Sequence, residues 1–240
     1  MRPLYKQYLG AAVAGLFAAA VAVNLYANYL GDPFLANRSK PLLMPLLAIT
    51  ALLFFPEWRP RTEKWLLTAA LAFGTAGDVL LMYSGQTFFL LGMAMFLLGH
   101  LCYLTLFAKM GLYRRVGKAG WLTGPSAMAA IACSLVAAMK VPFPMAIAVA
   151  IYGFVLLLVP LSGIFARSGV LLLGGVLFAF SDSLIALRSF AGIRFFDHTG
   201  FVIMLTYITA QVLLSVAIIR WRPLPAGMRN NYKRMPIFVC

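Results

Sequence analysis

The chain has 240 residues, of which 63% are apolar and 11% are charged, and basic residues outnumber acidic ones by 20 to six. This composition excludes a soluble globular domain and predicts a polytopic membrane protein. The net charge of +14 does not indicate a nucleic-acid partner. Basic residues of membrane proteins collect in loops that face anionic lipid, and no basic run is interleaved with aromatic residues here.

Hydrophobic segments follow one another along the chain at intervals that suit membrane helices. They cover residues 8–30, 41–55, 62–83, 87–109, 119–139, 142–165, 168–188 and 199–219. The second is the shortest, and Pro45 is expected to bend it. The sequence therefore predicts an all-α fold: a single domain of eight transmembrane helices over residues 1–220, with a basic tail over 221–240.

Lys and Arg are divided very unevenly between alternate loops, with fifteen on one side and five on the other. The positive-inside rule therefore predicts that both termini, including the tail, lie in the cytoplasm. Termini on one side require an even number of helices, which agrees with eight. If the source is a bacterium, we expect the protein in its inner (plasma) membrane.

Two acidic residues lie inside hydrophobic segments: Asp78 in FGTAGDVLLM and Asp182 in LFAFSDSLIAL. A charged side chain at membrane depth costs about 3 kcal/mol on insertion scales, so such residues usually face the bundle interior and serve an active site or a pathway. At about 1.5 Å per residue, both lie more than 20 Å from the cytoplasmic ends of their helices. We therefore expect both acids in the outer half of the membrane.

Other polar side chains are expected near the same depth, which predicts a polar cavity open toward the outer leaflet. Each has a purely structural alternative, such as a bridge between helices or, for a lysine near the interface, reach to the headgroups. The candidate substrate-binding residues are Asn24, Lys40, His100, Tyr103, Ser181, Tyr207 and Gln211.

The fourth helix carries aromatic residues on one face at helical spacing, and His100 lies among them. This face is predicted to line a groove beside the acids, although plain packing would give the same stripe. It comprises Phe89, Gly92, Phe96, His100, Tyr103 and Phe107. Motifs for zinc hydrolases, nucleotide-binding loops and serine hydrolases are absent from the sequence, so neither a metal nor a cofactor is predicted.

In their order along the chain, these motifs resemble the YhhN-like family of integral membrane proteins, whose characterised members are lysoplasmalogenases. The resemblance covers about residues 10–220 and rests on an ordered set. The set is Lys40 and Pro41 opening the second helix, residues 77–82 (GDVLLM) in the third, Phe89, Gly92, Phe96, His100 and Tyr103 in the fourth, residues 181–184 (SDSL) in the seventh, and Tyr207, Ala210 and Gln211 in the eighth. It implies an eight-helix membrane bundle.

The resemblance also implies hydrolysis of the vinyl ether bond of a lysophospholipid, the lysoplasmalogen, to a fatty aldehyde and glycerophosphoethanolamine or glycerophosphocholine. Vinyl ethers are opened by acid, so the reaction needs one protonated carboxyl and one carboxylate, as glycosidases do. Asp78 and Asp182 are the predicted catalytic pair, with the roles unassigned. Lys40 is predicted to hold the phosphate, and the aromatic face of the fourth helix to hold the alkenyl chain.

Two other classes of function stay open at this point. A transporter or lipid-flipping protein could use the same acids for proton coupling, and it would favour acids on both sides of the membrane midplane. A lipid-binding protein without activity would leave both acids dispensable.

Overall fold

The computed structural model describes residues 4–138, 143–191 and 197–222, and within these ranges it is built from helices. Eight α-helices run in order: α1 Leu4–Leu30, α2 Pro33–Phe54, α3 Arg61–Leu80, α4 Gln86–Lys109, α5 Lys118–Ala138, α6 Phe143–Ala166, α7 Gly169–Ala186 and α8 Thr199–Arg220. A 3-10 turn, Leu112–Arg115, follows α4, and a π turn, Leu187–Ala191, continues α7. The prediction of an all-α fold with eight helices is confirmed.

Six helices of this set are long and apolar enough to cross a membrane, namely α1 and α4 to α8. The other two, α2 and α3, carry Lys40 and Asp78 within their length. The fold is therefore that of an integral multi-pass membrane protein. The cytoplasmic location of the termini stays a prediction from the loop charges. The predicted turn at residues 140–142 and most of the basic tail lie outside the described residues.

The start of α2 differs from the sequence prediction by about two turns, because the helix begins at Pro33 rather than at Pro41. The Asp32 side chain caps it by accepting hydrogen bonds from the backbone N–H groups of Phe34 (2.9 Å) and Leu35 (3.2 Å). Proline suits the first helical position. Residues 37–40 (NRSK) are polar and interrupt the apolar run, so hydropathy alone missed the start of the helix. Lys40 therefore lies inside the helix and does not open it.

Neighbouring helices approach closely at glycines. A Cβ added at Gly175 of α7 would lie 2.5 Å from the backbone nitrogen of Pro160 in α6, and one at Gly77 of α3 would lie 2.7 Å from the Phe96 ring of α4. Close approach at small residues is the usual way in which membrane helices pack. These two contacts hold α7 against α6 and α3 against α4.

A buried ion pair, Arg59 with Glu63, lies beside the last turn of α8 and was not anticipated from the sequence. The Arg59 Nε donates to Glu63 Oε2 at 2.7 Å, and another guanidinium nitrogen donates to the backbone carbonyl of Ile218. Arg59 and Glu63 are 6% and 7% exposed. The Ile218 carbonyl also accepts from the backbone N–H of Trp221 at 3.3 Å, so Arg59 adds a second donor to a carbonyl in the last turn of α8.

Candidate active site

Asp78 lies two residues before the end of α3, and both of its carboxylate oxygens are engaged. The Lys40 ammonium of α2 lies 3.1 Å from Oδ1, and the Tyr207 hydroxyl of α8 donates to Oδ2 at 2.9 Å. Asp78 as a whole residue is 2% exposed. Three helices thus meet at one buried acid, and the expectation that Asp78 faces the bundle interior is met.

A second hydrogen bond lies one turn further along α8. The Tyr103 hydroxyl of α4 donates to Gln211 Oε1 at 2.6 Å. Gly74 of α3 leaves room for this layer, because an added Cβ would lie 3.3 Å from the Tyr207 hydroxyl and 3.5 Å from the Gln211 amide nitrogen. Tyr103, Tyr207 and Gln211 therefore lie in one buried polar layer with Asp78.

Asp182 of α7 has a different set of partners. The Tyr152 hydroxyl of α6 donates to Oδ2, whereas Oδ1 is buried and has no hydrogen-bond partner among the described residues. Asp78 and Lys40 lie near enough to Asp182 for their charges to act on it, so the two acids are neighbours inside the bundle. Sequence reasoning missed Tyr152, because a single tyrosine in an apolar helix gives no signal of its own.

Aromatic rings occupy the space between these two acids. The Tyr207 ring lies edge-on to Phe178 with centroids 5.5 Å apart, Phe178 lies 4.5 Å from His100, and His100 lies 5.9 Å from Tyr152. The His100 Nδ1 lies 2.7 Å from the backbone carbonyl of Phe96. A carbonyl only accepts, so Nδ1 carries the proton, and Nε2 of the neutral ring presents a lone pair. Nε2 is buried without a partner in the described part of the chain.

The aromatic face of α4 does not form the open groove that the sequence predicted. Phe96, Tyr103 and Phe107 are 5%, 1% and 0% exposed and belong to the core. Side chains of α3, α7 and α8 pack against this face, and the spacing of residues along α4 could not reveal that packing. Phe89 is the one member of that face that lines the cavity described below.

Asn24 and Ser181 were predicted to bind substrate, but their side-chain hydrogen bonds connect neighbouring helices and do not involve either acid. The Asn24 amide donates to the Ser39 hydroxyl at 2.9 Å and so joins α1 to α2. The Ser181 hydroxyl donates to the backbone carbonyl of Ile203 at 3.1 Å and joins α7 to α8. Their bonds are those of helix bridges, the structural alternative considered above.

A cavity of about 1250 Å³ opens where α1, α3 and α7 end and α8 begins. We call this the cavity end of the bundle. Lys40 lines the cavity, whereas Asp78 and Asp182 are not among the described lining residues. The part of its wall nearest the acids along the helices includes Leu81 and Ile185, and Ile203 of α8 also lines it. Leu81 and Ile185 lie three residues beyond the two acids, so the wall lies about one helical turn from each.

The structure therefore has a cavity about one helical turn from the acids, although neither acid is among its described lining residues. That the cavity opens toward the outer leaflet stays a prediction. Lys40 connects the cavity to the buried acids, because it lines the cavity and also pairs with Asp78. In the ranges that the structure describes, no three His, Cys, Asp or Glu residues are grouped as metal ligands would be.

The amino-acid sequence matches a known family of proteins. The model of the YhhN family matches residues 35–218. The chain belongs to the YhhN family. The match runs from α2 to the end of α8, so it includes the two acids and every candidate residue except Asn24. The family predicted from the ordered motifs is thereby confirmed. Comparison with curated proteins and with solved structures gives no significant match.

Proposed function

We propose that the chain is a membrane hydrolase that cleaves the vinyl ether bond of lysoplasmalogens. The products are a fatty aldehyde and glycerophosphoethanolamine or glycerophosphocholine. Membership in the YhhN family, which is lysoplasmalogenase-like, supports this class of reaction. The single observation that carries the proposal is a pair of buried carboxyls with unlike partners: Asp78 lies beside an ammonium, whereas Asp182 accepts from a tyrosine hydroxyl and forms no ion pair with a described residue.

Asp78 suits the role of the carboxylate that remains ionised. Lys40 can only donate, and it lies against Oδ1, while Tyr207 donates to Oδ2. Charge-assisted hydrogen bonds of this kind stabilise the anion. Such an anion would stabilise positive charge that develops on the substrate and would orient an attacking water.

Asp182 suits the role of the acid. Its Oδ1 is buried and bonded to nothing in the described ranges, and a buried carboxylate without a directly paired cation is costly. A proton on Oδ1 removes that cost and is then available to a substrate. Tyr152 holds the other oxygen and so fixes the orientation of the carboxyl.

The proposed reaction consumes one water and needs no oxidant or reductant. Asp182 transfers a proton to the β-carbon of the vinyl ether, and the C=C electron pair forms that C–H bond, which leaves an oxocarbenium ion. Water adds to the cationic carbon and loses a proton to Asp78 or Asp182. In the resulting hemiacetal the C–O bond to glycerol breaks, the glycerol oxygen takes up that proton, and the hemiacetal hydroxyl loses its own proton to Asp182. The aldehyde and the glycerol alcohol are released, and both carboxyls are back in their starting states.

Other buried polar groups are close enough to assist. The His100 Nε2 lone pair has no described partner and is a candidate acceptor for the hydrolytic water. Gln211 and Tyr207 are candidates for orienting the glycerol hydroxyl. Lys40 was expected to hold the phosphate, but its pairing with Asp78 favours a role in keeping that carboxylate ionised.

The direct test is turnover by the purified protein in D2O. Incubation with a lysoplasmalogen should release an aldehyde that carries one deuterium at the carbon next to the carbonyl, because that carbon receives the proton. An ester lysophospholipid in a parallel reaction should release no aldehyde and serves as the control substrate. Absence of aldehyde from the vinyl ether substrate would contradict the proposal.

A transporter is the alternative that the same acids allow. Both acids lie near the cavity end of their helices, whereas a proton-coupled carrier was expected to place acids on both sides of the midplane. Sealed vesicles containing the protein distinguish the two functions. Flux of an intact lysolipid without product would favour transport, and product formation without flux would favour hydrolysis.

A further inference from the structure

The cavity above the two acids carries both signs of charge in its wall. Its described lining includes Arg188 on the π turn after α7 and Asp197 just before α8. Neither forms an ion pair with another described residue. Lys40, the other long cation in the lining, is occupied by Asp78. Among the described lining residues, Arg188 is therefore the long cation that no acid occupies.

We propose that this cavity binds the zwitterionic headgroup of the substrate, with the phosphate on Arg188 and the ammonium on Asp197. The guanidinium presents paired N–H donors that match phosphate oxygens, and Arg is the preferred residue where such recognition is required. The carboxylate of Asp197 offers the complementary charge. His198, which also lines the cavity, stacks on Tyr29 with centroids 4.5 Å apart, and the Tyr29 ring provides an aromatic neighbour for an ammonium.

The position of this pair fits the chemistry proposed below it. Arg188 lies six residues beyond Asp182 along the same continuous helical segment, so it stands above the acid toward the open end. Ile185 lies between them in the lining. A lysolipid with its phosphate at Arg188 would direct its glycerol and vinyl ether toward the floor of the cavity. The identity of the ligand as a lysolipid headgroup rests on the proposed function, whereas the binding site rests on the residues that line the cavity.

The kinetic test compares Arg188→Gln with Arg38→Gln, a matched control. Arg38 is on α2 near the cavity end, but it stacks on Phe34 at 4.0 Å and is not among the described lining residues. Loss of a hydrogen-bonded charged contact should raise KM for 1-alkenyl-glycerophosphoethanolamine roughly 10- to 100-fold in Arg188→Gln, with little change in kcat. An alkenylglycerol without phosphate should show no such change, and Arg38→Gln should behave as wild type.

Asp197→Asn tests the other half of the headgroup site. Wild type should prefer the ethanolamine substrate over 1-alkenyl-glycerol 3-phosphate, which has no ammonium and carries more negative charge. Asp197→Asn should reduce that preference. An unchanged preference, or an equal rise in KM for phosphate-containing and phosphate-free substrates in Arg188→Gln, would overturn the assignment.

A binding measurement separates this inference from the proposed reaction. Glycerophosphoethanolamine should raise the melting temperature of detergent-purified wild type and Arg38→Gln, but not of Arg188→Gln. That result without any vinyl ether cleavage would reject the proposed function and retain the headgroup site. Equal protection of Arg188→Gln would overturn the site. Protection by inorganic phosphate as strong as that by glycerophosphoethanolamine would overturn the zwitterionic assignment.

Discussion

Removal of the Lys40 ammonium should destabilise the fold more than removal of the carboxylate that it neutralises. In Lys40→Met the stem is replaced by one of similar length, and Asp78 remains buried at 3% side-chain exposure with Tyr207 as its hydrogen-bond donor. Breaking one partner of a buried ion pair costs about 3–5 kcal/mol. The Lys40 side chain is 19% exposed, so the cost should lie near the lower limit, about 3 kcal/mol.

In Asp78→Asn the cation is the group that loses its partner, and the expected loss of stability is smaller. The asparagine carbonyl still accepts from Tyr207, and the Lys40 ammonium can extend into the cavity that it already lines. The cost should be about 1 kcal/mol, the value of one lost hydrogen bond. The double variant Lys40→Met with Asp78→Asn leaves no buried charge at this position and should cost no more than Asp78→Asn alone.

Thermal unfolding of the purified variants in one detergent measures this cycle. A loss of about 3 kcal/mol corresponds to a melting temperature lower by roughly 6–12 °C for a chain of this size. The second substitution should then restore most of the loss, which additive costs would not allow. Equal losses in the two single variants, or a double variant less stable than either, would refute the reasoning.

Two further substitutions test the packing and the orientation of the acid. Gly175→Ala places a methyl group 2.5 Å from the Pro160 backbone and should cost about 1–3 kcal/mol by overpacking, whereas Gly169→Ala, with open space around it, should melt as wild type does. Tyr152→Phe removes the donor to Asp182 and should lower kcat roughly 10- to 100-fold with little change in KM; unchanged kcat would show that this hydrogen bond does not orient the acid.

The helical architecture and the inward position of the two acids were predictable from the sequence because both follow from the cost of polar groups in lipid. Hydropathy located the segments, and the same cost required Asp78 and Asp182 to face other helices. The start of α2 was not predictable from hydropathy, because the polar residues 37–40 separate its first turn from the apolar run that follows. The signal that was present, Asp32 followed by Pro33, is one of capping rather than of apolarity.

The partners of each acid could not be read from the sequence, because they depend on how the helices rotate against one another. Tyr152 and Lys40 are both far from Asp182 and Asp78 along the chain, and no spacing connects them. Periodicity found the buried face of α4, but it could not distinguish a packed face from an open groove. That difference is set by the side chains of neighbouring helices, such as Phe178.

The most direct measurement is aldehyde release from a lysoplasmalogen by Asp78→Asn and Asp182→Asn in parallel with wild type and Glu57→Gln. Glu57 is an exposed acid paired with Lys6 at 2.8 Å, so its replacement should change neither folding nor turnover. Both aspartate variants should melt cooperatively and lose roughly 10²- to 10⁴-fold in kcat, the usual contribution of a general acid or base. Turnover within tenfold of wild type in either folded aspartate variant would contradict the account.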